Sequence, residues 1–310
     1  MTQTINLKLK KRNKEGFKYF MYIIPGLILV ILFAYKPITG WVYAFTNYKP
    51  GMSWDRIDFV GLKNFTRMFA NPAQRAQVAQ VMVNTFAMAG LGQLTGPLAM
   101  AFAIFLNEMN SKRCQRLVQT ITTLPHFISW VIMYSMVYYM LSTSGFANTD
   151  LKNLGMIEQP INFLATADYT YLKMFLYGTW KGLGWSAIVY LAALAGIDQE
   201  QYEAAMIDGA NRFQRIWHIT VPGLLPTFFV LFIMGIGNFL NTGMEQYYVF
   251  QNAMNKEFIQ VLDLYVYNQG IGQGNIPFAT AVGMLKSIVA LVLFIAANTV
   301  SKAIRGTSVF

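Results

Sequence analysis

The chain reads as an all-α polytopic membrane protein of about six transmembrane helices with both termini in the cytosol. Three observations carry that reading: an apolar composition, six apolar windows of spanning length, and an uneven distribution of Lys and Arg between the segments that join them. Hydrophobic residues make up 55% of the 310 residues and charged residues 12%, against roughly 25% charged in an ordinary soluble domain. The mean hydropathy of +0.38 points the same way.

A helix needs about 20 mostly apolar residues to cross the hydrocarbon core. The windows 19–45, 81–106, 117–141, 172–197, 222–240 and 278–300 meet that length. The first follows a basic tail, residues 1–18, and is interrupted by Lys36-Pro37, so its spanning part is expected to stop near Tyr35 and pass into an interfacial turn. The second and fourth carry Gly92-x-x-x-Gly96 and Gly178-x-x-x-Gly182, a spacing that lets helices approach closely. The fifth ends in Gly235, Gly237, Asn238 and Asn241, and the sixth contains Gly283 and Asn298. Residues 19–310 thus form a single six-span domain, interrupted between the fourth and fifth spans by a polar island at 198–222.

Basic residues orient the spans. With the N-terminus inside, thirteen Lys and Arg face the cytosol: Lys8, Lys10, Lys11, Arg12, Lys14 and Lys18 in the tail, then Lys112, Arg113, Arg116, Arg212, Arg215, Lys302 and Arg305. Seven face outward: Lys49, Arg56, Lys63, Arg67, Arg75, Lys152 and Lys256. The excess follows the positive-inside rule, although the first outer loop is unusually basic. The net charge of +10 is therefore mostly a topology signal and leaves no basic face for nucleic acid. No small-x-small cleavage site follows the first window, which reads as an uncleaved span. Cys114 stands alone and is expected to face the cytosol, and His126 and His218 have no ligand partners at metal-binding spacing.

The polar island DQEQYEAAMIDGANRFQRIWHITVP is a helix-turn-helix by its local chemistry. Asp198 caps a helix start, with Gln201 in the capping-box position; Tyr202, Ala205 and Met206 share a face; Asp208-Gly209 supplies the stop. Asn211 with Gln214 starts a second helix, on which Phe213, Ile216 and Trp217 form an apolar stripe and Arg212 and Arg215 the polar side. Large apolar side chains stabilise by roughly 1.5–3 kcal/mol each when buried, and this loop is too short to bury its own, so a partner or the span ends must cover them.

Glu203, Ala204, Ala205, Asp208, Gly209, Ala210, Ile219 and Pro222 reproduce the spacing E-A-A-x-x-D-G-A-x8-I-x-x-P. That pattern resembles the EAA loop of permease subunits in binding-protein-dependent ABC importers. The opening IIPGLILVILFAYKPITGWVYAFTNYKPG, the stretch FVGLKNFTRMF and the last span are similar to sugar permeases of the maltose-transporter superfamily, and nearest to those serving oligosaccharides and polysaccharide fragments. Val221 stands where the loop usually has Leu, and the large extracellular insertion of some maltose-type subunits is missing. The resemblance implies a type I importer permease fold with a cytosolic coupling helix. It also implies a bacterial cytoplasmic membrane, a second homologous permease, a dimer of ATPase subunits carrying ATP and Mg, an extracellular solute-binding protein and a carbohydrate cargo. Glu203 to Ala205, Asp208 to Ala210, Phe213, Ile219 and Pro222 would then couple to the ATPase. No cofactor is expected on this chain itself: a phosphate-binding G-x-x-x-x-G-K-[ST] loop is absent, Gly283 to Ser287 being a near miss inside a span.

A carbohydrate path wants aromatics for stacking and neutral polar groups for hydrogen bonds, and polar residues inside spans are costly enough to mark such paths. Trp180, Lys181 and Trp185 in the fourth span, with Asn238 and Asn241 in the fifth, are the leading candidates; Asn84, Gln93, Trp130, Tyr134 and Lys286 follow. Close helix packing is the competing explanation for the same glycine-rich segments. An ion-coupled secondary carrier is the main alternative function, disfavoured because all fourteen Asp and Glu fall in loops, tails or span ends. A membrane-embedded enzyme would need a nucleophile with its base, paired carboxylates or a metal cluster, and none appears at a credible spacing.

Overall fold

The computed structural model describes Gly16 and residues 18–305; the rest of the predicted basic tail lies outside the described residues. The elements that position the site are α1 (Lys18–Phe45), α2 (Pro72–Asn107), α3 (Lys112–Phe127), α4 (Trp130–Leu141), α5 (Phe146–Asn153), α6 (Thr170–Leu194), α7 (Gln199–Ile207), α8 (Arg212–Gly237), α9 (Glu245–Phe250), α10 (Leu262–Tyr267) and α11 (Ile276–Arg305). Among the described residues the only β pairing is an isolated bridge between Thr46 and Phe59. Among the described residues four helices are long and apolar enough to cross a membrane, or up to six spans if each of two bent pairs counts as one.

Several boundaries differ from those expected. Lys36-Pro37 does not end the first span. The chain widens into a π turn at Ile31–Tyr35 and then tightens into a 3-10 helix over Lys36–Phe45, with Pro37 in its first turn. Proline has no N–H and clashes with the carbonyl four residues back in a regular α-helix; the change of pitch removes that conflict. The third window, 117–141, is broken instead: α3 and the α4 segment meet at 108°. Pro125 starts a tight turn there and Ser129 caps the new helix, its Oγ accepting from the Ile132 N–H at 3.3 Å.

The chain forms two compact units. One comprises the chain up to Arg67 with Gln269–Met284, the other Met68–Asn268 with the chain from Leu285 onward. In the second unit, Met88, Met174, Tyr247, Phe250, Ile259, Val261 and Leu264 form one buried cluster, and Ala99, Ala103, Ala187, Tyr190, Leu194 and Leu224 form another. Asn84, fully buried on α2, ties the first cluster together. Its Nδ2 donates to the carbonyls of Glu257 and Gln260 at 2.7 and 3.0 Å, and its Oδ1 accepts from the Tyr171 hydroxyl at 2.7 Å. Thr85 follows suit, its Oγ1 accepting the Leu262 N–H at 2.8 Å. Two adjacent polar side chains thus hold the segment before α10 by satisfying its backbone.

Close packing does not use the G-x-x-x-G pairs as expected. Gly92 and Gly182 have nothing near the position of a side chain, and Gly96 and Gly178 meet only ordinary contacts. The tight point is Gly184, where an added Cβ would sit 2.8 Å from the Thr123 nitrogen and nearer still to the Thr122 carbonyl, so α6 rests directly on the backbone of α3.

Candidate functional site

The island at 198–222 forms one short helix, α7, and the start of a long one. Asp198 caps α7 by accepting the Glu200 N–H at 3.0 Å, without the reciprocal bond from Gln201 that a capping box requires. Gly209 adopts φ +78°, a left-handed conformation that glycine takes without steric cost. Gly209 N–H donates to Met206 O at 3.1 Å and Ala210 N–H to Ala205 O at 2.8 Å, the two bonds of a Schellman stop. The Asn211–Gln214 capping box forms in both directions, at 3.0 and 2.7 Å. From there α8 does not stop. A π turn at Ile216–Thr220 carries it into the apolar run beginning at Val221, with Pro222 in the first α-helical turn. The loosened turn accommodates the missing Pro222 N–H, so the expected second short helix is continuous with the fifth span.

Two contacts anchor the hairpin. The Tyr202 and Thr220 hydroxyls lie 2.9 Å apart. Arg212 Nε donates to Glu108 at 2.5 Å, and its Nη2 to the Glu108 carbonyl, joining the start of α8 to the end of α2. Exposed on the same hairpin are Ile207, Phe213 and Trp217, with 87%, 82% and 70% of their surface accessible. Glu203, Ala204, Asp208 and Pro222 are also exposed, and Ala205, Ala210 and Ile219 half-buried. Between α7 and the start of α8 lies a cleft of about 320 Å³ lined by Ala205, Asp208, Gly209, Ala210, Gln214, Arg215, His218 and Ile219. An apolar rim around a small polar cleft, tied rigidly to two spans, can receive a partner and pass its movement into the helices.

A second cavity, of about 340 Å³, lies among α2, α6 and α8. Gln93, Thr95 and Gly96 line it from α2, Trp185, Ser186 and Tyr190 from α6, and Phe228, Phe232 and Gly235 from α8. The Tyr190 hydroxyl is buried without a hydrogen-bond partner. Gly235 faces Gln93, whose Oε1 would be 2.6 Å from an added Cβ, so the glycine makes room for that amide. Trp185 stacks on His126 with ring centres 4.4 Å apart and planes 2° from parallel.

Of the residues expected on a cargo path, Trp185 lines this cavity and four do not. Trp180 is exposed elsewhere on α6. Lys181 Nζ donates to the carbonyls of Pro125, His126 and Ile128 at 3.2, 2.7 and 2.6 Å and sits 5.5 Å from the Trp130 ring centre. It therefore caps the break between α3 and α4. Asn238 and Asn241 are exposed past the end of α8 and bond locally, Asn238 Nδ2 to Met234 O at 3.2 Å and Asn241 Nδ2 to Asn238 Oδ1 at 3.4 Å. Among the second group, Gln93 enters the cavity, Asn84 is structural, and Lys286 forms an ion pair with Asp263. Ser186 closes the polar segment 178–186 of the fourth span, whereas Tyr190 was not singled out from the sequence, where it is one polar residue in an apolar run. The i, i+4 spacing from Ser186 to Tyr190, which puts both on one helix face, was the available signal.

The described residues thus hold a bundle of candidate spans, an exposed helical hairpin between two of them and a cavity among α2, α6 and α8. The chain belongs to the family described as binding-protein-dependent transport system inner membrane component, which it matches over residues 95–306. It is similar to Protein LplB of Bacillus subtilis (strain 168), 38% identical over 285 residues covering 91% of this chain and 88% of that protein. It is also similar to the polygalacturonan/rhamnogalacturonan transport system permease protein YteP of the same organism, 37% identical over 295 residues covering 95% and 90%. A chain of the bacterial alginate ABC transporter, crystallised in complex with an alginate pentasaccharide-bound periplasmic protein, matches with a TM-score of 0.85 at 32% identity, covering 96% of this chain and 99% of that chain. The protein is thus the membrane permease component of an ABC importer with the type I permease fold, and not an enzyme in its own right.

Proposed function

We propose that this chain forms half of the pathway for a carbohydrate, an oligosaccharide or polysaccharide fragment, in a bacterial cytoplasmic membrane with both termini cytosolic. A second permease completes the pathway, a solute-binding protein delivers the cargo from outside, and two ATPase subunits holding ATP and Mg drive it through residues Glu203–Ala205, Asp208–Ala210, Phe213, Ile219 and Pro222. The observation that carries the coupling half of this reading is the hairpin: exposed Phe213 and Trp217 around a cleft, braced by Arg212 on Glu108. Closure of the ATPase pair would push on that brace and tip α2 and α8 together, a rigid-body rocking of the kind that gates transporters. The cargo half is supported by the cavity at Trp185, where an aromatic face, the Gln93 amide and the free Tyr190 hydroxyl provide stacking and hydrogen bonds. The sugar-type names of the relatives point the same way. Trp180, Lys181, Asn238 and Asn241 lie outside that cavity.

Site-specific crosslinking from Ala205 and Phe213 in intact cells tests the coupling half. Capture of a nucleotide hydrolase is expected, and its absence from both positions refutes docking. Uptake by vesicles separates the importer from an ion-coupled carrier: transport should need ATP and persist when ion gradients are collapsed.

A further inference from the structure

Lys49, Lys63 and Arg67 run against the charge bias that orients the chain, and neither coupling nor cargo passage gives them a duty. In the unit containing the chain up to Arg67 and Gln269–Met284, all three line one cavity of about 800 Å³. The cavity is built where α1 ends and α11 begins. Asn64 Nδ2 donates to the carbonyls of Ala44 and Thr46 at 2.9 and 3.0 Å, and the Val60 N–H donates to Phe45 O at 2.8 Å, folding the loop back on the exit of α1. On its other side are Asn275 and Pro277, at the first turn of α11. The Arg67 guanidinium sits 5.5 Å from the Phe278 ring centre. The ion pairs among the described residues are Arg212–Glu108 and Lys286–Asp263, so none of these three cations is ion-paired; the Asp58 carboxylate of the same loop accepts instead from Asn47 Nδ2 at 2.9 Å.

We propose that this cavity holds the headgroup of an anionic phospholipid in the leaflet opposite the N-terminal tail. Because α1 crosses from Lys18 to Phe45, its far end lies on that leaflet. Trp41, Tyr43 and Tyr48 gather there, the last two with ring centres 4.7 Å apart, as aromatic residues do at a membrane–water interface. Lys49, Lys63 and Arg67 compensate the phosphate charge, and Gln273 supplies a neutral donor for glycerol oxygens. The acyl chains have a surface to lie on, since no residue in the apolar window of α1 is buried by the protein. An acidic saccharide or an acidic loop of a partner carries the same charge but has no use for that apolar surface or for a position in the interface layer. The lipid occupant is therefore the one the location selects.

The test uses the assembled transporter in nanodiscs of phosphatidylcholine with a minor fraction of photoreactive phosphatidylglycerol, with adducts mapped by mass spectrometry. Adducts are expected to concentrate on the peptides spanning 46–67 and 273–277, to fall several-fold in the combined variant Lys49→Gln, Lys63→Gln, Arg67→Gln, and to persist in Lys152→Gln. Even labelling around the whole belt, or unchanged labelling of the combined variant, overturns the proposal. Should the combined variant fail to assemble, competition on the wild-type transporter decides. Unlabelled phosphatidylglycerol displacing the probe while phosphatidylcholine does not supports the site; equal displacement by both lipids, or displacement by a soluble carboxylated oligosaccharide, refutes it.

Discussion

Replacing Lys181 with Met separates two roles that the sequence leaves together. Met keeps the length and apolar stem of the side chain and removes its three donors. In the structure those donors reach the carbonyls of Pro125, His126 and Ile128 at 3.2, 2.7 and 2.6 Å. The first contact is long and weak; the other two are short enough to count as full charge-assisted bonds. Leaving two carbonyls unsatisfied costs about 1–3 kcal/mol each, whereas removing an ammonium from membrane depth recovers about 2.5–3.5 kcal/mol on insertion scales. That recovery is smaller here because Lys181 is only partly buried, so a net loss of about 1–3 kcal/mol is expected. The loss falls on the 108° break between α3 and α4, so the detergent-solubilised transporter should melt at a lower temperature and assemble in lower yield, with transport per assembled complex largely kept. Size-exclusion thermal melts and ATP-driven uptake in proteoliposomes measure the two quantities. A Met variant that melts with the wild type and loses uptake refutes the capping role and returns Lys181 to the cargo path.

Gly184→Ala should be among the most damaging single-methyl substitutions in the chain, because the added carbon meets the Thr122 carbonyl; overpacking of this kind costs about 1–3 kcal/mol, and a melt unchanged from the wild type would show that α6 can move off α3. Asn84→Leu keeps volume but leaves the Glu257 and Gln260 carbonyls and the Tyr171 hydroxyl without their partner. It should lower stability by roughly 2–5 kcal/mol and speed hydrogen exchange in the segment before α10, and unaltered exchange there argues against the hub. Gly209→Val forces a β-branched residue to φ +78°, at a cost of about 1–2 kcal/mol, and should uncouple ATP hydrolysis from uptake while the protein still inserts. Normal uptake in that variant removes the hairpin from the coupling path.

Some of this protein was legible from the order of residues because local rules act over a few positions. Apolar length marked the spans, Asn211 and Gln214 marked a helix start that forms its full capping box, and Gly209 marked a stop that does adopt positive φ. Other features depended on which side chains meet across the bundle, and no spacing along one helix encodes that. Lys181 looks like a charge seeking water or cargo until the break in the third span supplies three carbonyls. Gly92 and Gly182 fit a close-packing motif yet face open space, while Gly184 bears the contact because its turn of α6 lies against α3. Lys36-Pro37 reads as a stop and Pro222 as the beginning of the fifth span, but a π turn ahead of each lets its helix run through. Composition and local hydrogen bonding thus determined the class, the spans and the hairpin, since their energies are paid within a turn or against the bilayer. Tertiary structure alone decided the cavity, the brace from Arg212 to Glu108 and the basic pocket at the exit of α1, because each exists only when segments far apart in the chain are brought within hydrogen-bond reach.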